Sequence, residues 1–441
     1  MIESRKRRWD EEDAEEERLW KRHKQHLLHF CAAFMNTRST NAPTVNGRRQ
    51  RTGYMRPKYY VAVLGRKANS GPFLQHLLNS GPDTTDANFV AAFALDKEGF
   101  CDLVGLLVPA YNKYILYSKG SGLFSLELRR NNRGKPREVT CAMMTALLLS
   151  YLRRRKDLLE LQPLCGFSLS TINDWVRFGL VVACEELEHH PDCAFQKYPI
   201  AQEREIMQAA ICICESYKFK YLIGTFALLD GCKFGLQQPL AHLQERFYNG
   251  WLHKHCINNL IMFFPAGDII YAVYDFPGTT HDQAIFDCSH LTQLLEDMDQ
   301  DDGLTPTAHR HNVISDVGFN WYEHFDVAGD PRSKTIKGRL RRVRKANESQ
   351  PREGVSELLF RVQRAYEQYY FRDLTAARQG VERGNGPLQK LWERLTTRLP
   401  ANMSGTRRLT IAACLLLLNF RVRRCGHLGT QISSVYGLEF V

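Results

Sequence analysis

No stretch of this 441-residue chain is apolar over the ~20 residues that a helix needs to cross a bilayer. The longest clean apolar run, Ile411 to Leu418, falls far short, so no membrane role is expected. The opening residues, MIESRKRRWDEEDAEEERLWKRHK, carry charge throughout and offer no apolar core for a secretory signal. The 13 cysteines include no CxxC pair. Cys212 and Cys214 stand one residue apart, which is either an unusual metal-ligand pair or two ordinary buried thiols. With the remaining cysteines scattered through apolar runs, a reducing compartment is the expectation. Internal repeats are also missing. Acidic residues are the minority: 59 Lys and Arg against 48 Asp and Glu give a formal net charge of +11. Such a balance permits a nucleic acid or an anionic surface as partner and selects neither. What the chain does have is a 44% hydrophobic content, enough for a real core and against wholesale disorder. Its length corresponds to two or three domains.

Residues 1–53 read as a charged, flexible arm. The basic cluster Arg5-Lys6-Arg7-Arg8 is either a nuclear import signal or plain solvated charge. Residues 54–220 have mainly helical periodicity. The face Met144, Leu147, Leu148, Tyr151 and Leu152 predicts a helix over Thr140 to Leu152. Between Leu158 and Val176 a short helix runs into Gly166, and Ser168 or Ser170 can cap a second one. This is helix-turn-helix spacing, shared by DNA-reading units and by ordinary helical hairpins. From residue 221 the texture changes to apolar runs of strand length. Gly224 to Leu229 ends at Asp230-Gly231. Cys256 to Phe264 and Ile269 to Asp275 flank the turn Pro265-Ala266-Gly267-Asp268 as a hairpin. A helix fits His281 to Met298, and Asn312 to Ser315 is a fourth strand that stops at Asp316. The order strand, hairpin, helix, strand predicts an α/β layer rather than a sandwich. This domain is placed at residues 221–430, with a basic insertion at 331–353 and a tail at 431–441. Helices are expected again over Val355 to Tyr370, between Thr375 and Leu395 with a break near Gly384 to Pro387, and from Arg407 to Arg424.

Asp230 and Asp316 stand at predicted strand ends, and Glu382 lies in a late helical stretch. Carboxylates so placed can meet at one point, and such a cluster is costly to bury unless a hard cation neutralises it. Mg²⁺ prefers oxygen ligands and is commonly shared with substrate phosphates. Two such ions would activate an attacking oxygen and stabilise the leaving one.

The wider pattern is more specific. In order it reads Asp230-Gly231, Tyr248-Asn249-Gly250-Trp251, Pro277-Gly278-Thr279-Thr280-His281-Asp282, Ser315-Asp316-Val317-Gly318-Phe319, Arg378 with Val381-Glu382, and Leu417-Leu418-Asn419-Phe420-Arg421. It resembles the DDE-superfamily endonuclease domain of Harbinger-type transposases, in particular the branch found in fungi and oomycetes, over about Gly166 to Gly426. The resemblance implies an RNase H-like nuclease core, α/β in class, preceded by a mainly helical domain with the helix-turn-helix-like segment. It implies Asp230, Asp316 and Glu382 as catalytic metal ligands for Mg²⁺, with Mn²⁺ as substitute. Asp282 lies 52 residues after Asp230 and is the alternative second ligand. At the start of a helix it can instead cap backbone N–H groups. His281 either touches the scissile phosphate or holds its loop. Arg378 and Asn419 are accessory positions of the same pattern.

Two departures stand out. Where the family often has an Asp-Ser-Gly-Tyr-like segment, Val317 and Phe319 each lack a hydroxyl. Asp316 and Glu382 are also 66 residues apart, with Arg332, Lys334, Lys337, Arg339, Arg341, Arg342, Arg344 and Lys345 between them. This basic segment is either a DNA clamp with salt-dependent affinity or a charged loop. Arg407, Arg408, Arg421, Arg423 and Arg424 are candidates for the same face. The function expected is metal-dependent cleavage of DNA at transposon ends, with possible joining to a target. The alternatives are a catalytically inactive DNA-binding or scaffolding descendant and an RNA nuclease on the same fold. DNA, a separate Myb-like DNA-binding protein and further copies of the chain are the expected partners, and the nucleus the expected location.

Overall fold

The computed structural model describes residues 86–115, 127–128, 139–153, 158–195, 203–213, 222, 224–301, 311–315, 325–327, 372–374, 377, 385–386 and 388–425. The expected N-terminal arm, the basic insertion, the helix over 355–370 and the 431–441 tail lie outside these residues. The chain divides into two compact units whose described parts are residues 104–115, 127–128, 139–148 and 158–182 in one, and the remainder in the other. The expected boundary near residue 220 accompanies the change from helix to strand, whereas the divisions after Leu103, Leu148 and Val182 fall inside helices.

In chain order the helical region comprises α1 (Asp86–Phe93), α2 (Lys97–Lys113), the short pair β1 (Tyr114–Ile115) and β2 (Glu127–Leu128), α3 (Cys141–Arg153), a 3₁₀ turn (Leu158–Leu161), α4 (Gln162–Cys165), α5 (Leu169–Leu187) and α6 (Glu203–Ile211). The first unit is organised around aromatic packing. The Trp175 and Phe178 rings meet edge to face at 5.6 Å, and Tyr111 approaches both at 6.2 Å. The Tyr111 hydroxyl donates to the Val139 carbonyl at 2.5 Å, so its polar end is satisfied inside the core. Gly166 ends α4 in the left-handed conformation at φ 75°, and its N–H donates to the Gln162 carbonyl. Ser168 Oγ accepts the Thr171 N–H at 3.3 Å and opens α5. The predicted helix, glycine stop and serine cap are therefore present. Their geometry does not distinguish a DNA-reading helix-turn-helix from an ordinary helical pair.

The second unit is built on a mixed sheet. Its strands are β3 (Thr225–Gly235), β4 (Tyr248–Asn249), β5 (Lys254–Phe263), β6 (Ile269–Pro277), β7 (Asn312–Ser315) and β8 (Phe325–Val327), with α7 (Gln244–Phe247) before β4 and α8 (Asp282–Asp287) and α9 (Leu291–Asp301) between β6 and β7. Strands β3, β5 and β6 pair antiparallel, while β7 joins the other edge of β3 in parallel and β8 follows in parallel on β7. The spatial order is thus third, second, first, fourth, fifth, with β4 on the start of β5. A mixed sheet in this order with flanking helices is consistent with an RNase H-like core. The central strand reads as a continuous apolar run, as a strand covered on both faces must. Phe226, Ala227, Leu228 and Leu229 are fully buried, and side chains of α6, α8 and α9, among them Ile206, Ile285, Phe286 and Leu295, join the same core.

Two expectations are corrected. β3 does not end at Asp230-Gly231 but runs to Gly235, because β5 continues to pair with it as far as Gly235 opposite Cys256. The expected single helix after the hairpin is two. Ser289 ends one by donating to the Phe286 carbonyl at 2.6 Å and starts the next by accepting the Leu291 N–H, while His290 adopts φ 54° between them.

The late helix α10 (Ser404–Arg424) holds the run Ile411 to Leu418, fully or almost fully buried, so this is core rather than membrane sequence. Among the described residues no helix is long and apolar enough to cross a membrane. Three of its five candidate arginines, Arg407, Arg421 and Arg423, are buried or half-buried and bonded within the protein, while Arg408 and Arg424 are exposed. Arg407, 3% exposed, grips Asp275 through Nε–Oδ1 at 2.5 Å and Nη2–Oδ2 at 3.1 Å, and donates to the Pro400 and Ala401 carbonyls. Arg423 pairs with Asp268 at 2.7 Å and Arg424 with Asp192 at 2.7 Å, while Arg421 donates to the Ala94 carbonyl. Arg408 lies over the Tyr274 ring. Burial pushes the Asp275 carboxyl up from its ordinary range, and Arg407 opposes that shift. Truncating one partner of such a pair strands a buried charge. Arg407→Met is expected to destabilise the second unit by about 3–5 kcal/mol in denaturant unfolding of the full chain; a change under about 1 kcal/mol would show the pair to be dispensable.

Candidate active site

Asp230 lies in the middle of the central strand, half-buried, rather than at its end. One carboxylate oxygen accepts its neighbour's backbone N–H, Gly231, at 2.8 Å. The other accepts Nδ2 of Asn385 at 2.8 Å. Asn385 is only 8% exposed, and its Oδ1 is buried with no hydrogen-bond partner among the described residues. The Asp230 carboxylate is thus met by an amide whose own oxygen is unsatisfied among the described residues, and carboxylate and amide oxygens are both ligand types that hard cations accept. Just beyond, Cys232 accepts from Nε2 of Gln389 at 3.3 Å. Burial first, then the nearby Asp230 and Asp282 charges, push the Cys232 thiol up to about 12, with the Gln389 bond opposing. This cysteine is an inert wall of the site rather than a nucleophile.

Asp282 occupies a different place. It is the first residue of α8, whose N-cap is His281, and its carboxylate turns to the sheet rather than capping the helix. Oδ1 accepts Nδ2 of the fully buried Asn258 at 2.5 Å and pairs with Lys233 Nζ at 3.4 Å. Lys233 and Asn258 are direct cross-strand partners. The carboxylate also fills the space where a side chain at Gly231 would stand: a Cβ there would lie 2.3 Å from Asp282 Oδ2. Neighbouring residues of a strand face opposite sides, so Asp282 lies on the Gly231 and Lys233 side and Asp230 on the Cys232 side. Only a glycine after Asp230 lets the α8 N-terminus dock this closely.

The loop before α8 is fixed in the same way. Gly278 packs so tightly that a Cβ would lie 2.4 Å from the Cys256 carbonyl, which makes it a close-approach glycine. Its own carbonyl accepts Nδ2 of Asn249 at 2.8 Å, and the Thr280 carbonyl accepts Nδ2 of Asn258. His281 is exposed. Asn419, fully buried on α10, bonds both the N–H and the C=O of Ile269 and the Cys193 carbonyl; it fastens α10 to β6 and does not reach Asp230's surroundings.

Asp316, Arg378 and Glu382 lie outside the described residues, as do Arg332, Lys334, Lys337, Arg339, Arg341, Arg342, Arg344 and Lys345. Strand β7, parallel to β3 with Ile314 opposite Leu228, is described up to Ser315, the residue before Asp316 in the sequence. Among the described residues no group of three His, Cys, Asp or Glu side chains comes together. Every described cysteine, Cys212 included, is a free thiol. Asn385 was missed in the sequence because it falls in Arg383-Gly384-Asn385-Gly386-Pro387, a segment that reads as a helix break. The available signal was its position three residues after Glu382, a helical spacing.

With this geometry in view, residues 229–419 match the family model described as DDE superfamily endonuclease. The chain therefore contains a DDE-superfamily endonuclease domain, of the nuclease and transposase superfamily. No curated protein and no solved structure matches the chain.

Two outcomes are expected. Gly231→Ala pushes against a short, hydrogen-bonded carboxylate and should cost about 1–3 kcal/mol in unfolding free energy, whereas Gly250→Ala, with open space around it, should be nearly neutral. With a thiol reagent at pH 8, the exposed Cys101 and Cys288 should react in the native chain and Cys232 should not, as peptide mass analysis would read directly.

Proposed function

We propose that this chain is a metal-dependent DNA endonuclease of the Harbinger type, which cleaves phosphodiester bonds at transposon ends and joins those ends to target DNA. The observation that carries this reading is Asp230: within the matched segment, it lies on the central strand against the buried Asn385 amide, whose Nδ2 donates to it and whose Oδ1 has no partner among the described residues. The Pro277 to Asp282 and Ser315 to Phe319 segments support the Harbinger assignment by resemblance. Asp230, Asp316 and Glu382 are the proposed holders of Mg²⁺ or Mn²⁺. The donor chemistry fits, since the acid present is a carboxylate and the buried Asn385 Oδ1 beside it has no other partner among the described residues. Divalent metal, when bound, would supply charge neutralisation at the scissile phosphate and a lowered pKa for the attacking water or 3′-hydroxyl.

The chain's own residues do the positioning. Asn385 and the Gly231 N–H fix both Asp230 oxygens, so the carboxylate is held in one orientation before substrate arrives. Asp282 is assigned to docking α8 on the sheet, because both its polar partners are protein groups on the Gly231 side. His281, exposed at the loop, is available to a phosphate. The basic segment from Arg332 to Lys345 is proposed to hold the DNA backbone. Further copies of the chain, needed to bring two ends together, and a Myb-like DNA-binding protein are the proposed partners, with action in the nucleus. The helix-turn-helix-like segment serves assembly or base reading.

Cleavage of supercoiled and linear DNA in Mg²⁺ or Mn²⁺ tests the reading. Asp230→Ala and Glu382→Ala are each expected to abolish it, and Asp282→Ala to reduce it only as far as it unfolds the chain. Equal activity in the parent and the first two variants would refute the assignment. Absence of cleavage and of metal binding in the parent would point to a DNA-binding descendant that no longer cuts.

A further inference from the structure

Trp251 is 91% exposed, an unusual position for the largest apolar side chain. It stands at the tip of the connection between β4 and β5, flanked by Tyr248 and Leu252, which are 43% and 38% exposed. The tip is not loose. Asn249 clamps it from inside, accepting the Leu252 N–H at 3.0 Å while donating to the Gly278 carbonyl, and His253 is held at φ 49°. A rigid turn that presents an indole to solvent is built for contact with something outside the chain.

Next to it lies a pocket of about 560 Å³. Lys233, His253, Lys254, His255, Gln389 and Arg398 line it together with Tyr248, whose ring meets His255 edge to face at 5.5 Å. Lys254, Arg398 and two imidazoles face this space beside Lys233, which is paired with Asp282, and no carboxylate is among its lining residues. Lys233 and Gln389 join it to the strand that carries Asp230: one is three residues further along β3, and the other bonds Cys232. The chemistry that fits is a phosphodiester strand with at least one base free to stack. Sites of this kind combine a positive groove with aromatic platforms, and every base offers a face to them. A duplex keeps its base faces covered, so an indole this exposed gains little from one.

We propose that the tip of the β4–β5 connection and its neighbouring pocket form a binding site for an unpaired DNA strand, with Trp251 stacking on a base and Lys254, Arg398 and His253 contacting its phosphates. This rests on the nucleic-acid reading above and adds a single-strand subsite to it.

The test uses the full chain in EDTA, so that binding is read without cleavage. Anisotropy of fluorescein-labelled dT12 and of a labelled 12-base-pair duplex is followed across salt concentrations. The chain should bind dT12. Trp251→Ala should weaken that about ten-fold or more while changing duplex affinity less than about two-fold, and Trp251→Phe should recover most of the loss. The Lys254→Ala/Arg398→Ala double variant should weaken dT12 binding and flatten its dependence on salt. Unchanged dT12 affinity in Trp251→Ala, an equal loss on duplex, or no binding of dT12 by the parent would each overturn the proposal. Because Trp251 is almost fully exposed, its removal does not threaten the fold. Cleavage assayed separately tells the two readings apart. Cleavage that persists with Trp251-independent binding sinks only the subsite. Trp251-dependent binding without metal-dependent cleavage sinks only the nuclease.

Discussion

A carboxylate on the central strand of a covered sheet has to be met by donors, and the pair formed by Asp230 and Asn385 is how this chain meets it. Strand β3 pairs with β7 as far as Leu228 and with β5 through Asp230 to Gly235, five residues beyond the acid, so Asp230 cannot swing out as it would at a strand end. Its two oxygens are taken by a backbone N–H and a buried amide. That amide leaves its own oxygen unsatisfied among the described residues, and a buried polar atom without a partner costs about 1–3 kcal/mol. The cost is tolerable where a site gains from it, and an oxygen held ready beside a carboxylate is one such gain.

The rest of the second unit serves to hold that strand still. Gly231 admits the Asp282 carboxylate against the strand, which brings the α8 N-terminus down on one side. On α10, Asn419 and Arg407 bind the backbone and side chains of β6, so the outer antiparallel strand is fastened by buried polar bonds as well as by apolar contact. Of the arginines that looked like a DNA-binding face in the sequence, Arg407 is buried against Asp275 and Arg421 and Arg423 bond groups of the protein, while Arg408 and Arg424 are exposed. Among the described residues, further cations line a pocket beside the start of β5: Lys233, Lys254 and Arg398.

Much of this was legible beforehand, for identifiable reasons. The chain order of strand, hairpin, helix and strand followed from apolar runs of strand length broken by Pro265-Ala266-Gly267-Asp268, whose turn chemistry is local. The expected fourth strand, Asn312 to Ser315, is observed as β7, parallel to β3 with Ile314 opposite Leu228. Less was legible where tertiary contact overrides local signal. Asp230-Gly231 looked like a strand terminus, but the glycine is there to admit Asp282. Asp282 reads in the sequence as a helix cap or a metal ligand; its partners Asn258 and Lys233 come from two strands far from it in sequence. Asn385, hidden among glycines and a proline, could not be ranked without knowing that it meets a residue 155 positions earlier.

The account's central claim is that Asp230, and not Asp282, anchors the metal site, with Asp316 and Glu382 completing it. A crystal structure of the full chain soaked in Mn²⁺, with anomalous scattering recorded at the manganese edge, tests this most directly. The account predicts anomalous density within about 2.0–2.2 Å of an Asp230 oxygen, with Asp316 and Glu382 as co-ligands and the Asp282–Lys233 pair intact. Density ligated by Asp282, or a fully loaded crystal with none at Asp230, would contradict it.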